Sequence, residues 1–164
     1  MLNCTMTEQP IDGNQTQLFR EKRLWLERGK YKHSGKPDCV VISGRRALLI
    51  DFKCGRNEIE ESPSNLQLRD LAVLIAAYYN VGEVTVCIIQ PLVSAKPALC
   101  VYTIADIVRA KDEMWARIIA SHAPDAKRTP GAGQCQYCRA AHWGKCAEYN
   151  AWAGGLLAEI FVAK

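Results

Sequence analysis

Apolar and polar residues alternate in blocks along this chain, and the period of each block sets the element it predicts. Residues 38–53, DCVVISGRRALLIDFK, hold two apolar runs around Gly44 and Arg45. That pattern reads as a hairpin with a two-residue II′ turn, glycine taking the first central position. Residues 66–79, LQLRDLAVLIAAYY, set Leu71, Leu74, Ile75 and Tyr78 at three-to-four spacing. This is a helix with one buried stripe, and Ser64 is the expected cap. Short strands are read at 23–26, at 83–90 (ended by Pro91) and at 98–104. Helices are read at 105–122 and 146–163, a Pro/Gly-bearing linker at 123–134, and a basic loop at 28–37. The order of hairpin, helix, strand, strand, helix predicts an α/β (α+β mixed) core with a small cysteine-rich appendix.

Period 2 sorts the second strand of the hairpin into two faces. Leu48, Ile50 and Phe52 point one way; Leu49, Asp51 and Lys53 point the other. If Gly44 and Arg45 form the turn, Ser43 pairs with Arg46, and counting outward sets Asp38 opposite Asp51. Directly opposed residues have Cβ atoms roughly 4.5–5.5 Å apart, close enough for two carboxylates to repel. A divalent cation such as Mg²⁺ or Mn²⁺ resolves the conflict, because hard cations take oxygen ligands. Lys53 adds a positive charge that can steady developing phosphoryl charge. Carboxylates, a metal and a lysine beside a basic loop form a phosphodiesterase layout. The plainer reading is a solvated, salt-bridged strand end.

Composition narrows the field. The chain has 164 residues, 49% hydrophobic and 23% charged, with 11 Gly and 7 Pro, which excludes disordered, collagen-like and coiled-coil classes. There is no internal repeat and no low-complexity stretch. The net charge of +4 permits a polyanionic partner without demanding one. The longest apolar run, around 71–79, is too short to span a bilayer, and the first residues lack the pattern of a signal peptide. A cytoplasmic location without membrane contact is therefore expected. Arg20, Lys22, Arg23, Arg28, Lys30, Lys32, His33 and Lys36 cluster ahead of the carboxylates, with Trp25 and Tyr31 among them. Phosphate contact and base stacking suit such a segment, as does a plain solvated edge and loop. His33 and His122 read as surface or loop residues, and Trp115, Trp143 and Trp152 as packing residues.

Eight cysteines are many for a reducing compartment. Cys39, Cys54, Cys87 and Cys100 lie in or beside apolar runs and read as small hydrophobes. Cys135, Cys138 and Cys146 fall close together as C-x2-C-x7-C, a spacing that lets thiolates meet one metal. Two donors compete for the fourth position. Cys4 gives a four-cysteine site of the iron–sulfur kind; His142 gives C-x2-C-x3-H-x3-C, a zinc-knuckle-like site.

Three segments taken together carry a resemblance. GKPD (35–38), IDFK (50–53) and NLQLRDLAVLIAAY (65–78) resemble the PD-(D/E)xK nuclease superfamily, and its RecB-like exonuclease branch of phages, recombination machines and CRISPR adaptation in particular. VCIIQP (86–91) is similar to the strand after the helix in phage relatives, so the likeness spans residues 21 to about 147. It implies a restriction-endonuclease-like core over 1–130, a central mixed sheet flanked by helices. Residues 131–164 would form the Cys-rich segment, with its C-terminal helix packed on that core. By the same resemblance Asp38, Asp51 and the Phe52 carbonyl would bind metal, Lys53 would assist the attacking water, and Gln67 would contact DNA or order the site. Glu21 is the candidate for the upstream acidic residue, although the family usually places that residue on a helix. Cys4, Cys135, Cys138 and Cys146 would hold a [4Fe-4S] cluster stapling the chain ends, which favours the cluster over zinc. The implied activity is metal-dependent DNA hydrolysis, with an exonuclease acting on ends or single strands as the expected form. A partner protein could complete the short-fronted groove, and the location would be the host cytoplasm if the chain is phage-encoded. The alternative is a non-catalytic nucleic-acid-binding protein with a degenerate nuclease fold.

Overall fold

In the computed structural model the described residues are 16–56 and 64–162. Five strands form one sheet in the order β1 (Gln17–Arg20), β4 (Cys39–Ser43), β5 (Arg46–Phe52), β6 (Glu83–Ile89), β7 (Ala98–Tyr102). A separate antiparallel pair joins β2 (Leu24–Arg28) to β3 (Tyr31–Gly35). In the main sheet β5 and β6 are parallel and the other neighbours antiparallel, so the class is mixed α/β. A parallel neighbour cannot be reached by a tight turn. The chain between β5 and β6 therefore carries a crossover helix, α1 (Leu66–Tyr79).

The β4–β5 hairpin has the register expected from its turn: Ser43 pairs with Arg46 and Cys39 with Ile50. Gly44 has φ +56°, which a II′ turn needs at its first central position. Along β5 the buried residues are Ala47, Leu49 and Asp51, a strict alternation. Leu49, Val40, Ile42, Val84 and Val86 of the sheet join Leu68, Leu71, Leu74 and Ile75 of α1 in the core. Each such side chain contributes about 1.5–3 kcal/mol on burial.

Two local expectations are corrected. The helix cap is Asn65 rather than Ser64: the Asn65 side chain accepts from the Leu68 N–H at 3.2 Å. The basic segment 28–37 is largely strand, not loop. Gly29 (φ +59°) and Lys30 turn the chain, and β3 pairs back on β2 from Arg28↔Tyr31 to Leu24↔Gly35. The pattern hides this strand because its partly buried positions, Tyr31, His33, Ser34 and Gly35, carry a phenol, an imidazole, a hydroxyl and a hydrogen. Gly35 allows a close approach, since a Cβ there would lie 2.6 Å from Leu71 Cδ2 and 2.9 Å from Leu74 Cδ1, and those side chains would have to shift. The hairpin thus lies directly on α1.

Helix α2 (Ile104–Ser121) buries Ile107, Ala110, Met114 and Trp115, a three-to-four stripe. Thr103 and Asp106 exchange side-chain and backbone hydrogen bonds at its start, a capping box. Arg117 donates to Asp70 at 2.7 Å, and Arg69 pairs with Glu113, which ties α2 to α1.

The chain divides into two compact units, one up to Ile119 and one from Ala120. The second unit holds α3 (Ala132–Cys135), α4 (Arg139–His142) and α5 (Ala147–Val162). Among the described residues no helix is long and apolar enough to cross a membrane.

Candidate active site

In an open α/β sheet, ligands meet the carboxyl ends of parallel strands, where the connections diverge. Here that place is the end of β5 and β6, with α1 entering beside it. Asp51 is the second-last residue of β5. The strand's alternation turns it to the same face as Leu49, and it is 3% exposed. A buried carboxylate is costly unless its oxygens are satisfied. Lys53 Nζ stands 2.9 Å from Asp51 Oδ2 as an ion pair, the contact that meets this buried oxygen. Burial pushes the Asp51 carboxyl above its ordinary pKa. Lys53 opposes that rise through hydrogen bond and charge, and the Asp38 charge adds to it.

Asp38 lies just before β4, and the hairpin register continued by one pair sets it opposite Asp51. Its Oδ2 accepts from the Phe52 N–H at 2.8 Å. The carboxylate thereby clamps the end of β5, while the Phe52 side chain is left exposed. The Lys53 N–H donates to the Ile89 carbonyl at 2.9 Å, so the residue after β5 is anchored to β6. Lys53 Nζ also donates to Gln67 Oε1 at 3.2 Å. Gln67 is in the first turn of α1, so the Asn65 cap that fixes this helix start also fixes the glutamine. Asp38, Asp51, Lys53 and Gln67, read from separate segments, are brought together. The strand end is salt-bridged, as the plainer reading expects, but Asp51 is dry rather than solvated.

Glu21 reaches the same place by its backbone. Its N–H donates to the Asp38 carbonyl at 3.1 Å, and its φ of +49° is left-handed, uncommon for a residue with a Cβ. Its carboxylate is exposed and ion-paired with Lys36. The sequence reading missed Gln90, buried at the end of β6, whose Nε2 donates to the Gly55 carbonyl at 3.0 Å. The signal was available: an amide closing an apolar run immediately before Pro91. It missed Asp70 as well, which receives Arg117 on one oxygen and His33 Nε2 at 3.3 Å on the other. His33 is accordingly a half-buried partner and not a loop residue.

The donor set at β5 suits a hard divalent cation. It offers carboxylate oxygens from Asp38 and Asp51, those of Asp51 buried beside Lys53. Among the described residues no group of three or more His, Cys, Asp or Glu side chains is gathered as a metal site.

Cys135, Cys138, Cys146 and His142 are all described, and they are not gathered as such a group either. Cys4 lies outside the described residues. Cys138 precedes α4 as its cap residue, and Cys146 is buried, with its Sγ 3.5 Å from Glu148 Oε2. The Nε2 of His142 meets the Gln136 carbonyl at 2.6 Å. The Glu148 carboxylate raises the Arg128 pKa, with smaller contributions from Cys146 and Cys138. Of the four apolar-run cysteines only Cys87 is buried; Cys54 is exposed. Trp115 is buried as expected, but Trp143 is 66% exposed, with Lys145 over its ring at 5.9 Å.

No curated protein matches the chain. Among solved structures, "Crystal structure of SSO0001" aligns at 14% identity with a TM-score of 0.45, covering 80% of this chain and 60% of that one. This chain therefore spans less than two thirds of that protein's length. A family profile described as "Protein of unknown function (DUF2800)" matches residues 5–154, nearly the whole sequence, and the chain belongs to that family.

Proposed function

We propose that the protein is a divalent-metal-dependent nuclease of the PD-(D/E)xK kind that hydrolyses phosphodiester bonds in DNA, acting as an exonuclease on ends or single strands. The observation that carries this reading is the buried Asp51 carboxylate, with Lys53 2.9 Å from its Oδ2 and Asp38 beside it across the hairpin. A fold kept only for binding gains nothing from a buried carboxylate whose desolvation weakens the apo-protein. This favours the enzyme over a degenerate binding module.

Asp38 and Asp51 would hold Mg²⁺ or Mn²⁺, with the Phe52 carbonyl and Glu21 as further candidates. Such an ion supplies Lewis acidity and an activated water. The chain's own residues do the rest. Asp38 fixes the strand end through the Phe52 N–H. Gln67 holds the Lys53 ammonium in place, and that charge stabilises negative charge growing on the phosphoryl oxygens. Burial strengthens this interaction by excluding water.

The test compares two variants on a labelled oligodeoxynucleotide with Mg²⁺ or Mn²⁺. Asp51→Ala should lower kcat/KM at least about a hundredfold, some 3 kcal/mol of transition-state stabilisation. Lys53→Ala should lose cleavage while keeping DNA binding, since its charge acts in the transition state. Undiminished cleavage by Asp51→Ala, or full wild-type activity in EDTA, refutes the reading.

The cysteine segment is a second part of the same proposal: Cys135, Cys138 and Cys146 with Cys4 hold a [4Fe-4S] cluster, or with His142 a zinc ion. The support is the C-x2-C-x7-C spacing. Its role is structural.

A further inference from the structure

Gln67 faces two ways. Its Oε1 accepts from Lys53, and its side chain also lines an open cleft of about 310 Å³ between the β2–β3 hairpin and α1. Arg23, His33, Lys36 and Asp70 share that cleft. Asp70 does not make it acidic, because its two oxygens are taken by Arg117 at 2.7 Å and His33 at 3.3 Å. Arg23 Nη1 donates to the neutral hydroxyl of Ser34 at 3.0 Å, so that bond leaves the guanidinium charge uncompensated. Lys36 pairs with Glu21, an exposed and exchangeable contact. Other cations of the segment are directed elsewhere. Lys32 pairs with Glu27 at 2.8 Å, and Lys22 lies over the Phe19, Tyr78 and Tyr79 rings.

We infer that this cleft binds the phosphodiester backbone of the nucleic-acid strand next to the bond that is cut. Arg23 and Lys36 contact phosphate oxygens, and Gln67 joins the cleft to the Asp51–Lys53 centre. The inference rests on the nuclease reading for its "next to the cut" and on the cleft alone for its binding. Phosphate contacts of this kind release counterions, so each has a salt-dependence signature. A strand seated here is handed from the cleft to Lys53 across one side chain.

The experiment measures fluorescence anisotropy of a fluorescein-labelled single-stranded oligodeoxynucleotide with the full chain in metal-free buffer over a salt series. Arg23→Gln and Lys36→Gln should each weaken binding about five- to tenfold at low salt and reduce the log–log salt slope by about 0.7. Arg23→Lys keeps the charge and should restore much of the loss. Arg109→Gln, on α2 and paired with Asp106, removes the same net charge and should leave binding unchanged. Equal losses in Arg23→Gln and Arg109→Gln, or no loss in either cleft variant, overturn the inference. In Mg²⁺ the cleft variants should raise KM and spare kcat. A wild type that binds through Arg23 and Lys36 yet cleaves nothing in Mg²⁺ or Mn²⁺ refutes the nuclease reading and leaves the cleft standing. A wild type whose cleavage ignores both cleft substitutions does the reverse.

Discussion

The end of the β4–β5 hairpin and the cysteine segment hold the chain's two densest sets of reactive side chains, and the fold handles them in opposite ways. At the hairpin, sheet register places the two carboxylates. A two-residue turn at Gly44 sets every pair back to Cys39↔Ile50, and the carboxylates follow from counting. In the cysteine segment the backbone consists of four-residue helices and turns, and no ladder dictates where a thiol points. Strands can preorganise a site before any ligand arrives. Short irregular segments need the ligand itself to organise them.

That contrast can be broken by experiment. The largest expected effect is at the cysteines. If a cluster links Cys4 to Cys135, Cys138 and Cys146, then Cys4→Ala and Cys138→Ser lose iron and several kcal/mol of stability, because a long loop is opened. His142→Ala would then change neither. Elemental analysis and melting temperature of the purified variants decide it. Loss of zinc in His142→Ala, with Cys4→Ala unaffected, assigns the site to zinc.

Next comes the preorganised carboxylate pair. Mg²⁺ at about a hundred times its Kd should stabilise the wild type by about 2.7 kcal/mol, seen as a rise in melting temperature, and should not stabilise Asp51→Asn. Acid should weaken that protection early, since protonated Asp51 is no ligand and its pKa lies above the ordinary carboxylate value. Without cation the sign reverses. The folded state holds the Asp51 proton more tightly than the unfolded chain. That contribution to stability is full below the unfolded pKa and is lost as pH rises through the folded one. Thermal melts across the acidic range, with and without Mg²⁺, measure both trends.

The smallest effect sharpens the hairpin side. Gly35→Ala places a Cβ against Leu71 and Leu74, and overpacking of this kind costs about 1–3 kcal/mol. Since Gly35 lies three residues before Asp38, cleavage should fall along with stability. A denaturant midpoint equal to wild type would mean that the hairpin yields freely.

Much of this was legible in the sequence for physical reasons. Period-2 alternation and a turn glycine fixed β4, β5 and the facing of Asp51. Three-to-four spacing fixed α1, and the position of Gln67 followed. What escaped was structure imposed by partners. β1 has two apolar residues in four and exists because β4 offers an edge. β3 presents Tyr31, His33 and a glycine to α1, which no hydropathy period reveals. The Asn65 cap differs from the expected Ser64 by one position, within the usual latitude of helix ends. Trp143 was read as a packing residue and Cys54 as a small hydrophobe beside an apolar run, but both are exposed, since exposure depends on which surface a turn leaves uncovered.

The pairing distances along the chain also fix an order of assembly. The β4–β5 hairpin joins near neighbours, whereas β5–β6 must bring Arg46 to Glu83. Hairpins form in about 1–10 μs, while non-local pairings wait on loop closure and helix docking. Asp38 can therefore clamp the Phe52 N–H while Asp51 is still wet, and Asp51 loses its water only when α1 and β6 arrive. The desolvation of that carboxylate falls on the late step, where it opposes docking.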